Sequence, residues 1–254
     1  MVKEKEKPLS GLAIGLPTRG LPVAFEWAAC MHLMRFPTNV ERFVFPVKYR
    51  PVDEARNRIV WIARQQRCKY LLMIDDDTAP PFFAPQRLMY DLGIADDDVM
   101  IAGGIYFTKD TPSEPIVYQG NGSGPFWKWK KGEVFEVTGM GTGCMLIKME
   151  LFDKLPVPET RTVEIRGQQV ELPWWFKTTS STPQAEEQIH VDGNGSVHLG
   201  FDQSDDLYFC DQVVKAGYKM IADGGVICVH WDMSVSPPKA YGPTEAWSIK
   251  EEIS

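Results

Sequence analysis

Three aspartates, Asp75-Asp76-Asp77, follow directly on the apolar run Leu71-Leu72-Met73-Ile74. Adjacent carboxylates repel one another and cost stability unless something neutralises them. At the carboxyl end of a buried parallel strand they would occupy the place where ligands of open α/β sheets bind. Hard oxygen ligands there suit Mg²⁺ or Mn²⁺, which in turn bridges the oxygens of a diphosphate. Asp96-Asp97-Asp98 is the internal control: it precedes a strand instead of ending one, and reads as a solvated acidic turn. A further acidic pair, Asp205-Asp206, opens a predicted helix, where carboxylates favour the N-terminus whatever else they do. Phe126-Trp127-Lys128-Trp129-Lys130-Lys131 interleaves aromatics with lysines. That pattern suits a strand stacking on sugar rings or nucleobases while its lysines meet phosphates, and equally an edge strand guarded by lysine. Trp174-Trp175-Phe176 is a second candidate wall over an acceptor, with core packing as the alternative.

The elements that must position these groups alternate through the first half of the chain. Residues 12–16 read as a buried strand stopping at the loop Pro17-Thr18-Arg19-Gly20. A helix is predicted over 22–34, its inner face made by Phe25, Ala28, Ala29 and His32, and a strand over 42–47. Asp53 is the expected N-cap of a helix through Ala55, Ile59, Ile62 and Ala63. Strand 70–74, helix 85–92 and strand 99–102 follow. This succession predicts an α/β fold, a Rossmann-type, mostly parallel sheet flanked by helices on both faces. The middle breaks the pattern, with antiparallel strands expected at 116–118, 126–129 and 134–137. These form a small antiparallel sheet beside the main one. A strand at 145–147, a short helix at 150–154 and a hairpin over 163–172 lead through a loop-rich stretch, 156–200, into a helix at 204–216. Strands 219–222 and 226–230 close the fold. Residues 1–10 are expected to be a flexible end, 11–231 one domain of two halves (11–110 and 111–231), and 232–254 a Pro-rich tail.

Composition narrows the class. Of 254 residues, 44% are apolar and 24% charged, ordinary values for a globular chain. The formal net charge of -7 weighs against a non-specific grip on a polyanion and fits a site that gathers carboxylates around a cation. No run approaches the roughly 18–20 apolar residues that cross a bilayer. The charged start, Lys3 to Lys7, has no hydrophobic segment behind it and is not a secretory signal. The cysteines, Cys30, Cys68, Cys144, Cys210 and Cys228, are odd in number, scattered, and without zinc-ligand or redox spacing. They read as buried free thiols in a reducing compartment, so a cytoplasmic location is expected.

Several segments then carry a shared resemblance, in order. They are the first strand ending in Pro17-Thr18-Arg19, Asp53-Glu54-Ala55-Arg56-Asn57, the apolar strand ending in three aspartates, and the Gly-rich turn and strand from Thr138 to Ile147. Ser204-Asp205-Asp206-Leu207-Tyr208-Phe209-Cys210 with Lys215-Ala216-Gly217-Tyr218 downstream, and Val226 to His230, complete the set. Over residues 12 to 231 the chain resembles the GT-A glycosyltransferases with their Asp-x-Asp motif, especially the family 2-like group.

The resemblance implies a metal-dependent hexosyltransferase moving a sugar from a nucleotide-diphosphate sugar, a UDP-sugar first, to an acceptor hydroxyl with inversion. By position, Asp77 is the direct ligand of Mn²⁺ or Mg²⁺. Asp75 meets the donor ribose or the metal through water, Asp76 lies beside them, and His230 completes the metal shell. Pro17, Thr18, Arg19 and Arg56 meet the nucleotide. An attacking hydroxyl must lose its proton to a carboxylate within reach. Asp206 is the expected base and Asp205, where Glu is commoner in the family, the fallback. The leaving diphosphate is stabilised by the cation. Gly141, Thr142, Trp127, Trp129, Trp174 and Trp175 are expected on the acceptor side. The acceptor is a saccharide or other glycan, or a hydroxymethylated base in DNA. Two other readings compete. A nucleotidyltransferase also uses metal-bound carboxylates, but its Gly-rich basic loop fits Pro17-Thr18-Arg19-Gly20 poorly. A carbohydrate-binding protein without turnover would not need Asp75, Asp77 and Asp206 intact.

Overall fold

Leu71, Leu72, Met73 and Ile74 are all fully buried. Successive side chains of a strand point to opposite faces, so a strand with no polar position must be covered on both. The computed structural model, which describes residues 10–120, 124–179, 189–191, 197–199 and 204–243, puts this strand near the middle of a large sheet. The first half of the chain supplies β1 (Leu12–Thr18), α1 (Phe25–Leu33), β2 (Arg42–Lys48), α2 (Val52–Gln65), β3 (Tyr70–Ile74), β4 (Thr78–Ala79), α3 (Ala84–Ile94) and β5 (Val99–Ile105). Next come β6 (Val117–Tyr118), β7 (Val134–Val137), β8 (Gly139–Met140), β9 (Cys144–Lys148) and α4 (Leu151–Lys154). The remainder is β10 (Thr160–Ile165), β11 (Gln168–Pro173), β12 (Ile189–Val191), β13 (Val197–Leu199), α5 (Asp205–Lys215), β14 (Lys219–Ile227), β15 (Val229–Asp232) and β16 (Lys239–Tyr241).

The large sheet has the order β2-β1-β3-β9-β5-β14-β7. β1 is parallel to β2 and β3, and β5 to β14, while β9 is antiparallel to both its neighbours and β7 to β14. The sheet is therefore mostly parallel by strand direction, as expected, but with a reversed strand at its heart. That reversal matters: the start of β9 lies beside the end of β3, so the Gly-rich turn before β9 reaches the aspartates. The Asp75 N–H donates to the Gly143 carbonyl at 3.3 Å. Alternate residues of β3 and β9 feed two cores. Leu71, Met73, Met145 and Ile147 pack with Ile59 and Ala63 of α2 and Phe209 and Val213 of α5. Leu72, Ile74, Cys144 and Leu146 pack with Leu88 and Leu92 of α3 on the other face. Smaller antiparallel sheets, β4-β15-β16, β6-β8, β10-β11 and β12-β13, surround the main one.

Several local expectations are corrected. Asp53 is not the N-cap of α2; Pro51 stands there, and Asp53 lies in the first turn, its carboxylate accepting from the Glu54 N–H at 2.8 Å. Helix α1 forms, yet none of its residues is buried, because its apolar residues are spread all round it instead of along one face. Residues 126–129 do not form a strand. Trp129 turns inward to stack on Phe135 at 6.1 Å, with Phe126 5.5 Å from the same ring, and only Pro125 bridges to Tyr118. The two closing strands, 219–222 and 226–230, divide elsewhere: β14 runs through to Ile227, with a register shift after Asp223. At that irregularity Gly224 and Gly225 allow a close approach, for a Cβ would fall 2.5 Å from the Lys130 carbonyl or 2.6 Å from the Arg87 guanidinium. Part of the expected tail is ordered strand, β16 pairing with β15. The expected flexible end over residues 1–9 and the tail beyond residue 243 lie outside the described residues. Among the described residues no helix is long and apolar enough to cross a membrane.

Away from the aspartate cluster, Arg87 holds Asp223 with two hydrogen bonds and reaches the Gly132 carbonyl at 3.2 Å. Asp91 is buried beside this pair. Burial and the neighbouring Asp223 carboxylate push its carboxyl up to about 7, more than Arg87 can offset. A carboxyl raised on folding favours the unfolded chain as pH climbs from its ordinary value to its folded one. Asp91→Asn removes that titration. Its melting temperature relative to the native chain should climb between about pH 4 and pH 7 and level off above. Scanning calorimetry across that range checks it, and a difference independent of pH would contradict it.

Candidate active site

The three adjacent aspartates separate into three environments as soon as β3 ends. A turn closes on them, the Thr78 N–H donating to the Asp75 carbonyl at 3.2 Å, and β4 then pairs with β15 so that His230 stands opposite Thr78. The Trp231 N–H donates to the Asp77 carbonyl at 2.7 Å and locks that register. Asp75 faces α2, where Arg56 donates to both its oxygens at 3.1 and 3.0 Å. Asp76 faces the loop after β1, accepting from the Thr18 hydroxyl at 2.6 Å and the Arg19 N–H at 3.2 Å. Asp77 faces β15 and the segment after β5, with Lys109 Nζ at 2.6 Å and His230 Nε2 at 3.5 Å. The repulsion inherent in the sequence is thus relieved by three separate sets of partners.

Arg56 is the pivot. Its guanidinium also donates to Asp205 at 2.6 Å, so one buried cation joins the end of β3 to the start of α5. Burial disfavours its charge, yet Asp75, Asp205 and Asp206 together raise its affinity for the proton. Burial and the neighbouring acids push the carboxyls of Asp75 and Asp205 up, while Arg56 pulls both down. Buried and held through Oδ2 by Arg56, Asp205 is a bound counter-ion, and that geometry leaves it poorly placed as a base. Asp206, the next residue, is half-buried and accepts through Oδ1 from the Ser204 hydroxyl and the Leu207 N–H. Its other oxygen has no hydrogen bond among the described residues, and its charge acts on Asp75, Arg56 and Tyr106.

Residues Pro17, Thr18, Arg19, Arg50, Asp75, Asp76, Asp77, Lys109 and His230 border one open cleft of about 590 Å³. Its donor set fits a divalent cation. His230 Nδ1 lies 2.7 Å from the Phe107 carbonyl, which only accepts, so Nδ1 carries a proton and Nε2 is the atom turned toward Asp77. Nε2 lies 3.5 Å from Asp77 Oδ1. An imidazole nitrogen and a carboxylate oxygen that face each other can share one cation. Burial opposes ionisation of Asp77, but the hydrogen bonds and charge of His230 and Lys109 outweigh it and hold the carboxyl well below the usual range. Among the described residues no three His, Cys, Asp or Glu side chains surround one point. Asp77 and His230 could supply two ligands to an Mn²⁺-like ion, with phosphate oxygens and water supplying the others.

No family model and no curated protein matches the chain. Among solved structures it is similar to the crystal structure of A197 from STIV, with a TM-score of 0.54. The two share 14% identity over 92% of this chain and 95% of that one. Identity that low speaks for a shared fold alone. The fold is a mixed α/β one, with a large, mostly parallel central sheet flanked by helices and small antiparallel sheets.

The acceptor-side expectations fare differently. Trp174 and Trp175 are not a wall over the cleft; they are buried at 2% and 1% exposure. Trp175 packs 4.9 Å from Phe152, and Phe176 stacks on Phe209 at 4.3 Å. Trp129 is also a core residue, and Trp127 is the exposed aromatic of that segment, flanked by exposed lysines. Gly141 and Thr142 are buried too. Gly141 lets the Tyr106 hydroxyl approach where a Cβ would come within 1.9 Å, and Thr142 Oγ1 has no partner among the described residues. Four residues with roles here went unassigned by pattern. Asn57 donates to the Asp53 and Phe176 carbonyls and accepts from the Trp175 and Phe176 N–H groups, pinning that aromatic segment to α2. Trp27 donates from Nε1 to the Asp75 carbonyl at 2.9 Å. Tyr106 packs edge-on to His230 at 5.2 Å. Lys109 sits on Asp77. Asn57 at least stands next to Arg56 in the segment Asp53-Glu54-Ala55-Arg56-Asn57; the other three carry no local signal.

Removing Arg56 would strand one buried carboxylate, Asp205, and one half-buried, Asp75. Arg56→Met should cost about 3–5 kcal/mol of stability. Adding Asp205→Asn should recover part of the loss, because one uncompensated charge disappears. Urea unfolding of the single and double variants measures both, and strictly additive losses would contradict the linked triad.

Proposed function

We propose that this chain is a metal-dependent glycosyltransferase of the GT-A type, transferring a sugar from a UDP-sugar to an acceptor hydroxyl with inversion. The observation that carries the reading is the separation of Asp75, Asp76 and Asp77 at the mouth of one cleft. One is tied to Arg56, one to the Thr18–Arg19 loop, and one is aimed with His230 at a shared point. The β1 loop, fixed by Asp76, is the proposed seat of the nucleotide, with Arg19 and Arg50 facing the cleft as positive charge for a diphosphate. A divalent cation held by Asp77 and His230 would neutralise the charge that develops on the leaving diphosphate.

On this reading Asp206 takes the proton of the acceptor hydroxyl through its second oxygen, as the acceptor oxygen bonds to the anomeric carbon and the bond to the diphosphate breaks. The Ser204 hydroxyl and the Leu207 N–H hold the first oxygen and so orient the carboxylate. Asp205 and Arg56 support from behind: a guanidinium held between Asp205 and Asp75 keeps base and donor site at a fixed separation. Trp127 and the lysines around it remain the exposed aromatic and basic feature for an acceptor, a glycan before modified DNA.

The test is a binding and turnover panel of UDP- and GDP-sugars with Mn²⁺ or with EDTA. One nucleotide sugar should bind only with the metal, and Asp77→Ala should abolish that dependence. Asp206→Asn should keep donor binding while losing about 10²-fold or more in turnover. If no nucleotide sugar binds with metal present, the reading fails. Preference for a nucleoside triphosphate would favour nucleotidyl transfer instead.

A further inference from the structure

Lys109 belongs to no motif, yet its ammonium is 2.6 Å from Asp77 Oδ2, on the carboxylate whose other oxygen faces His230. We propose that Lys109 is a displaceable internal cation: it neutralises Asp77 before metal arrives, yields that carboxylate to a divalent ion, and then turns to the donor's diphosphate. This rests on the cation-and-donor reading above.

The local structure suits a side chain that moves on a backbone that does not. Lys109 stands in a tight excursion after β5 whose ends are tied together. The Thr108 N–H donates to the Glu114 carbonyl at 2.8 Å, Ser113 Oγ to the Thr108 carbonyl at 2.6 Å, and the Ile116 N–H to the Tyr106 carbonyl at 2.8 Å. Phe107 and Pro115 bridge across the same excursion. The freedom therefore lies in the four-carbon stem, which carries a compact, exchangeable point charge, unlike the planar fork of an arginine. The pair is partly exposed, 27% for Lys109 and 20% for Asp77, so water can solvate the ammonium as it leaves.

Charge dictates where it goes. The other two aspartates of the cluster are already engaged, Asp75 by Arg56 and Asp76 by Thr18 and the Arg19 backbone. Lys109 lines the cleft together with Arg19 and Arg50, so an incoming diphosphate is the anion that a freed ammonium there would meet. A divalent ion alone must then compete with a resident ammonium. An ion arriving with a diphosphate does not, because the phosphate oxygens give the lysine a new partner. Metal and diphosphate binding should reinforce one another, and reinforcement is reciprocal.

The experiment measures Mn²⁺ affinity by the electron paramagnetic resonance signal of free Mn²⁺, with and without UDP, in the native chain, Lys109→Met and Lys109→Arg. Without UDP, Lys109→Met should bind Mn²⁺ about three- to fivefold more tightly than the native chain, the worth of a partly exposed ion pair. Lys109→Arg, holding Asp77 with a fork, should bind it more weakly. UDP should tighten Mn²⁺ binding more in the native chain than in Lys109→Met. Unchanged Mn²⁺ affinity in both variants, or UDP enhancement equal in the native chain and Lys109→Met, overturns the proposal while Mn²⁺-dependent UDP binding leaves the functional reading standing. If the native chain and the variants all fail to retain Mn²⁺ with UDP present, the functional reading falls, and this proposal with it.

Discussion

A guanidinium at 4% exposure, held between two carboxylates that lie 19 and 149 residues away along the chain, is the constraint on which the rest of the site depends. Taking charges out of water is expensive, and a buried ion pair often gains little net stability over apolar packing. What it gains is placement. Arg56 can satisfy Asp75 and Asp205 together only if the end of β3 and the start of α5 stand at one distance and orientation. Every neighbouring group inherits that geometry. Asp206 follows Asp205 on α5, and Asp76 and Asp77 follow Asp75 after β3. Asn57, next to Arg56 on α2, extends the same logic outward by pinning the backbone of Trp175 and Phe176.

The triad also sets the charge state of the cleft. Arg56 is consumed internally, so it does not neutralise Asp77. That carboxylate instead relies on Lys109 and His230, a lysine on a tied turn and a ring oriented by the Phe107 carbonyl. Acidic groups with committed partners behave as scaffold. Asp77, held by a lysine on a flexible stem, is the one the proposed function makes a ligand. The distinction among Asp75, Asp76 and Asp77 is made entirely by the elements packed against them, because along the chain they are chemically identical neighbours.

That contrast explains what was legible from sequence. β3 announces itself because an unbroken apolar run ending in acids has few places to go, and β1, β2, α3 and β5 follow from the same alternation of period and turn residues. The reversal of β9 was not legible: Cys144–Lys148 is a short apolar run, and hydrophobicity says nothing about direction. For Trp174 and Trp175 the sequence leaves wall and core both open, because their burial depends on Asn57, Phe152 and Phe209, distant partners that composition cannot reveal. The 126–129 segment misled for a related reason. Strand-like residues there serve as inward packing against Phe135, with no ladder to join. Lys109 gave no local signal at all, for its role comes from a turn that brings it across the cleft to a residue 32 positions earlier.

In the proposed function, Asp77 and His230 form a cation site that receives a nucleoside diphosphate. Anomalous diffraction from crystals grown with Mn²⁺ and UDP addresses it most directly. The account predicts an anomalous peak between the Asp77 carboxylate and His230 Nε2, diphosphate oxygens on that ion, and the nucleoside beside Thr18 and Arg19. A peak elsewhere, or UDP bound away from the cleft with Lys109 still seated on Asp77, would contradict it.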